Sequence, residues 1–210
     1  MQQDLNELEY ELKQVPEYQN RFAEVFQDGL KAANVAKALA QFQYALISSN
    51  AKYDRYRRGE ATLNDRELLG MSLVEAKCKS CHAGELFTDN SYHNNGMDDI
   101  FGDEHEGIHQ GRYRVTHVPL DMGKFKTPTL RNVMLTAPYM HDGRFRDIDQ
   151  VLEHYNAGIK NSPSVDPLLF RHNAMLGVPI SANEKIAIKA FLNALTDNDF
   201  ITNKKFSDPN

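Results

Sequence analysis

A mainly α-helical fold is predicted by three features of the sequence. Apolar residues recur at i, i+3 and i+4 along most of the regular stretches. Short polar residues followed three positions later by Glu or Gln stand ahead of several of these stretches, the pattern of a helix capping box. No strand-rich run flanks the one pair of cysteines. The expected architecture is a compact helical domain over residues 62–210, preceded by a helical segment over 1–61.

Composition bounds the class. Of the 210 residues, 41% are hydrophobic and 25% charged, ordinary values for a globular protein with a core. The net charge of −5 and the lack of a basic run argue against nucleic-acid binding. No apolar stretch approaches the length of a membrane span. Met1 to Glu11 is polar and acidic, unlike a signal peptide. Tryptophan is absent.

Taken in order, Leu5, Leu8 and Leu12 share a helical face that Pro16 interrupts; Phe22, Val25 and Phe26 resume it, and Gly29 closes it. A second stripe runs Val35, Ala38, Leu39, Phe42 and Leu46, with Asn34 expected as its cap. Lys52 to Gly59 reads as a short connecting helix. From Asn64 and Glu67, a capping box, the stripe Leu69, Leu73 and Ala76 leads straight into Cys78. Gly70, mid-helix, costs about 1 kcal/mol relative to alanine, which suggests close approach by another backbone. The expected partner is the last helix, capped by Ser181 and Glu184 and carrying Ile188, Phe191, Leu192 and Leu195.

The chemistry lies at Cys78-Lys79-Ser80-Cys81-His82. A CxxCH run is the attachment pattern of c-type haem: each thiol adds to a porphyrin vinyl group, and His82 becomes the proximal iron ligand. A dithiol redox motif would need a βαβ setting, and a zinc site would need ligands beyond these two cysteines. An opening helix, this motif, long loops and a closing helix form the plan of a cytochrome c domain. The irregular stretch Ala83 to Arg146 is expected to wrap the haem. Its histidines, His93, His105, His109 and His117, have no metal-ligand spacing with a partner and are expected as surface or loop residues.

The stretch FKTPTLRNVMLTAPYMHDGRF (125–145), VLEHYNAG (151–158), GELFTD (84–89), GRYRVT (111–116) and NAKYDRYRRGE (50–60), with CKSCH, closely resembles the diheme cytochrome c peroxidase family, which includes MauG-type enzymes. The match is to the half that carries the electron-transfer haem. A second CxxCH and the inter-haem tryptophan of the family are not in this sequence. The resemblance implies an electron-transfer haem domain of a periplasmic peroxidase-type oxidoreductase. It would work between a small redox protein or protein substrate and a peroxide-reactive haem in an N-terminal domain, with 1–61 contributing to the interface. A stand-alone single-haem electron carrier is the alternative.

The resemblance also implies site residues. In the family's peroxidases a methionine after the HDG block ligates this haem, and in MauG-like members a tyrosine does. Asp147 and Gln150 form a third capping box, followed by Ile148, Val151, Leu152 and Tyr155 on one helical face. Tyr155, fourteen residues after His141, falls on the family's ligand position, while His154 is turned about 100° away. A core tyrosine, or ligation by Met140, Met122, Met134 or Met175, are the other readings. A phenolate oxygen favours ferric iron, whereas a thioether favours ferrous iron and a higher potential. The backbone carbonyls of Thr136 and Pro138 match the family's calcium site, and Arg131, Lys124, Lys126 and Arg112 are candidates to pair the haem propionates. His141 is expected to hydrogen-bond within the Asp142-Gly143 turn.

Overall fold

The computed structural model describes residues 3–102, 104–171 and 174–207, except for the side chains of 104–106, so His105 lies outside the described side chains. The chain forms two compact units, Met1–Ile47 with Asn203–Asn210, and Ser48–Thr202. The boundary expected at 61/62 therefore falls at 47/48. The physical reason is that residues 48–57 are built into the second unit. Ser48 Oγ and the Asn50 N–H both donate to Asp197, and Tyr53 is buried in the core.

The first unit contains α1 (Leu5–Lys13), α2 (Pro16–Val25) and α3 (Ala32–Ala45). Asp4 caps α1, and Pro16 opens α2 from its first turn, where a missing N–H costs nothing. Gly29 ends the α2–α3 turn with φ +69°, a conformation glycine adopts without strain. Asn34 is not the cap expected for α3. The helix starts earlier, from Lys31, and the buried Asn34 side chain turns back to donate to Asp28 and the Gly29 carbonyl. Much of the α3 stripe faces outward: Leu39, Phe42 and Leu46 are exposed.

The second unit opens with α4 (Lys52–Arg57) and α5 (Asp65–Lys77) and closes with α8 (Ala182–Ala194) and α9 (Asn198–Ile201); α6 (Tyr113–Thr116) and α7 (Ile148–Glu153) lie between. The capping boxes at Asn64/Glu67 and Ser181/Glu184 form as expected. The α5 stripe is rotated from the expected one. Gly70 and Val74 are buried and Leu69 is exposed, because the helix meets α8 across Gly70 itself. A methyl group there would strike the Ala187 carbonyl and sit 2.8 Å from Phe191 Cβ. Ile188, Phe191, Leu192 and Leu195 of the α8 region are all buried, as their spacing predicts. Tyr53, Phe87 and Phe191 meet edge to face, with ring centroids 5.4–5.8 Å apart, and join α4, the post-motif loop and α8. Such pairs add about 0.5–1.5 kcal/mol beyond the area they bury.

The long 83–146 stretch is mostly irregular. Among its described residues the one ribbon is an antiparallel pair, β1 (Tyr92–His93) with β2 (Phe125–Lys126), in register Tyr92↔Lys126 and His93↔Phe125. Among the described residues, no helix is long and apolar enough to cross a membrane.

Candidate functional site

Helix α5 delivers the cysteine pair. Cys78 closes the helix with its N–H on the Val74 carbonyl, and the N–H groups of Cys81 and His82 both return to the Cys78 carbonyl, at 3.2 and 2.8 Å. One tight turn therefore carries both thiols and the imidazole. His82 Nδ1 lies 3.0 Å from the Phe87 carbonyl, a contact that makes Nδ1 the protonated nitrogen and leaves Nε2 with its lone pair. Burial lowers the His82 pKa, holding the ring in the neutral form a metal ligand requires. A fixed tautomer and a carbonyl partner are the usual support for a ligating histidine.

The thiols are quiet. Burial pushes Cys78 up to about 11 and also raises Cys81. Reactive dithiols have depressed pKa values, so this microenvironment does not fit a thiol oxidoreductase. Two adjacent thiols, an imidazole with one nitrogen anchored and the other available, and a nearby phenol do fit a covalently held haem. A cleft of about 580 Å³ opens beside His82, lined among others by Tyr53, Met71, Val74, Phe87 and Phe191; Tyr155 does not line it.

Tyr155 belongs to the other part of the site. Asp147 caps α7 by accepting the Gln150 N–H, but Gln150 returns its bond to the Arg146 N–H, so the box is not reciprocal at the cap residue. Beyond Glu153 the helix widens into a π turn over His154–Gly158. Such wide turns rotate the following side chains off the α-helical period and are frequent at functional sites. The expectation that His154 points away from the buried side fails for that reason. His154 is buried, and its Nε2 pairs with the Asn95 carbonyl at 3.0 Å. Tyr155 is half-buried, and its pKa is raised by burial first and then by the proximity of Cys78 and Cys81. The phenol thus lies within electrostatic reach of both thiols. Asn95 Nδ2 is 3.4 Å from the Tyr155 hydroxyl and 3.4 Å from Met140 Sδ, so two of the candidate distal ligands share one amide donor. Met140 is held there in a left-handed conformation, φ +73°.

Other expected residues are deployed differently. The Arg131 fork is filled by Asp54 at 2.8 and 2.9 Å, and its Nε donates to the Glu85 carbonyl. The pair ties α4 to the post-motif loop, the anchoring role in place of a free propionate partner. Arg112 and Lys124 both pair with Asp121, and Arg112 also lies over the Tyr92 ring. Lys126 is exposed. Thr136 and Pro138 lie on an exposed turn that follows residues 133–135.

Two histidine arrangements were not legible from spacing. His93 is clamped between Asp166, 2.5 Å from Nδ1, and Asp89, 2.8 Å from Nε2. Burial works against its charge, but the two carboxylates outweigh that and raise its pKa. His109 and His141 come together with Asp98, and the His141 ring stacks on Phe125 at 3.9 Å. His141 therefore looks away from its own turn, contrary to expectation.

The family model for di-haem cytochrome c peroxidase matches residues 1–62. The chain is 33% identical to the cytochrome-c peroxidase IdrP1 of Pseudomonas sp. (strain SCT), over 92% of this chain and 57% of that protein. It is 34% identical to the methylamine utilization protein MauG of Methylorubrum extorquens, over 88% of this chain and 50% of that protein. Among solved structures it resembles a MauG-like protein associated with microbial copper homeostasis, with TM-score 0.79 and 30% identity, covering 98% of this chain and 65% of that one. The chain spans about half the length of the curated relatives it matches.

Proposed function

From the premise that this chain belongs to the diheme cytochrome c peroxidase and MauG family, we propose that it is the family's electron-relay haem domain. Cys78 and Cys81 would hold one haem c covalently, and His82 and Tyr155 are the residues that would supply its iron ligands. The domain exchanges electrons with a small redox protein or protein substrate on one side. On the other it serves a peroxide-reactive haem outside these 210 residues. A single-electron couple at the iron is the chemistry the bound haem supplies.

The observation that carries this reading is the tautomer fixed on His82, in the same tight turn as two half-buried thiols. The residues of the chain do the tuning. Phe87 orients His82, burial keeps the ring uncharged, and Asn95 steadies the distal donor. Helices α5 and α8 press together at Gly70 and hold the motif turn rigid against the core. The reading carries further proposals with it: a periplasmic location, where haem c is attached, and calcium on the Thr136 and Pro138 carbonyls, completed by ligands from outside these residues.

Production with a c-type maturation system tests it. The expected result is a protein one haem heavier by mass spectrometry, whose porphyrin survives denaturing acid extraction. Cys78→Ala with Cys81→Ala removes the added mass. A wild-type protein lacking it, while a control cytochrome matures in the same cells, overturns the proposal.

A further inference from the structure

We propose that Asp98, His109 and His141 form a second metal site, taking a divalent transition ion of zinc or copper(II) character. The three residues come from separate segments: the loop after Gly96, the 3₁₀ turn over Glu104–Gln110, and the chain just after Met140. Their ligand atoms nonetheless converge within 4.8 Å of one another. His109 Nδ1 is 3.1 Å from His141 Nε2 and 3.3 Å from Asp98 Oδ2, and His141 Nε2 is 3.9 Å from the same oxygen. Ligands about 2.1 Å from a common ion span such separations at angles of about 95° to 135°, the range of an open tetrahedral site.

The surroundings are those of oriented ligands. Phe125 fixes the His141 ring by stacking, and Arg144 donates to both oxygens of Asp98 at 2.9 and 3.0 Å. Carboxylates and imidazoles held from behind in this way lose little freedom when an ion arrives. Arg144 also pairs with Asp142, so two carboxylates and one guanidinium leave a local charge of −1 beside the two rings. Two imidazoles and one carboxylate suit zinc or copper(II) and disfavour calcium, which prefers oxygen throughout. The 3.1 Å nitrogen–nitrogen contact requires a proton on one of the facing atoms. An incoming ion takes that position, and the displaced proton leaves to solvent or moves to the other nitrogen of the same ring.

The contrast with His93 supports the choice. There Asp89 and Asp166 engage opposite nitrogens of one ring, so their oxygens do not converge on a point. The side chain of His141 is 8% exposed and that of His109 22%, leaving one side of the cluster reachable by an ion in solution.

The test is titration of haem-loaded, tag-free protein, stripped with a chelator, with Zn²⁺ or Cu²⁺ alone, followed by calorimetry and by competition with a chromophoric chelator. The expected result is one saturable site that Ca²⁺ does not compete for. His109→Ala and Asp98→Asn each weaken it at least about tenfold, and His93→Ala leaves it unchanged. His141→Ala removes a ring from the Phe125 stack, so retention of the haem spectrum is checked for every variant, and His109→Gln serves as the gentler substitution. Absence of a one-to-one site, competition by Ca²⁺, or equal affinity in wild type, His109→Ala and Asp98→Asn overturns the proposal. The haem proposal fails separately, by the absence of added mass.

Discussion

Asn95 lies between a hard and a soft donor, 3.4 Å from both the Tyr155 oxygen and the Met140 sulfur. With Tyr155 on iron, Tyr155→Phe opens a coordination position, and cyanide or imidazole binding followed by absorption spectroscopy detects it. Tyr155→Met raises the reduction potential on the order of 100 mV or more, because a thioether stabilises ferrous iron. A Phe variant with wild-type spectrum and potential assigns Tyr155 to the core. His154→Ala disturbs the same region, since His154 is buried on the Asn95 carbonyl. That coupling was hidden in the sequence, where an unbroken α-helical period turns His154 outward. His93 gives a pH-dependent effect. Its pKa is raised, so its stabilisation is complete below the unfolded value near 6.5 and lost as pH rises through the folded one. For Asp89, burial pushes upward, but His93 and the Ser91 N–H prevail and bring it to about 2. Its contribution is present above about 3.8 and lost as pH falls toward 2. The clamp is thus strongest between about pH 4 and about 6.5. His93→Gln flattens the alkaline limb of the Tm–pH curve, and an unchanged limb counts against the clamp.

At the scale of elements, the α5–α8 contact sets the geometry of the motif turn. Gly70→Ala forces a methyl group against the Ala187 carbonyl and destabilises the fold by about 2 kcal/mol or more, measured by denaturant unfolding of the haem-loaded protein. Asn64→Ala, which removes only a cap, costs about 1 kcal/mol. A smaller loss for Gly70→Ala than for Asn64→Ala contradicts the close crossing. This contact was legible before the structure, because a mid-helix glycine and two capping boxes are local signals. The side of α5 that packs was not. The stripe of larger residues pointed to Leu69, while the helix approaches through its smallest residue, and Leu69 is left half exposed. The π turn was equally hidden, since nothing in VLEHYNAG distinguishes a widened turn from an α-helical one. The Asp98, His109 and His141 cluster escaped because irregular loops bring its members together, with the two histidines 32 residues apart.

For the molecule as a whole, the unit spanning 1–47 and 203–210 exposes Leu39, Phe42, Tyr44 and Ile47, and its α1–α3 region lies within the residues 1–62 that the family model matches. Under the proposed function, these apolar residues face a further haem domain. The 210-residue chain, loaded with one haem and assayed by itself, then turns over peroxide far more slowly than a full diheme enzyme with the same donor. Cleavage of the O–O bond needs an open iron site and a positioned acid or amide. With Tyr155 as an iron ligand the position is closed, so the Asn95 amide beside it has no open site to serve. A rate rivalling the diheme enzyme refutes the division of labour. The mainly α plan and the cysteine motif were readable from local pattern. The unit boundary was not, because Ser48, Asn50 and Tyr53 join the second unit through partners far along the chain.

The half-buried thiols carry a consequence for biogenesis. With Cys78 near 11 against an ordinary value of 9.0, the folded chain presents roughly a hundredfold less thiolate than an open one at neutral pH. Folding and cofactor capture are therefore in competition. A chain that closes α5 onto α8 first holds its attachment point in a less reactive state, so attachment is favoured on a chain that is still open. Variants that fold faster without the cofactor should then mature less completely, and slowing that closure becomes a route to higher yields of the loaded protein.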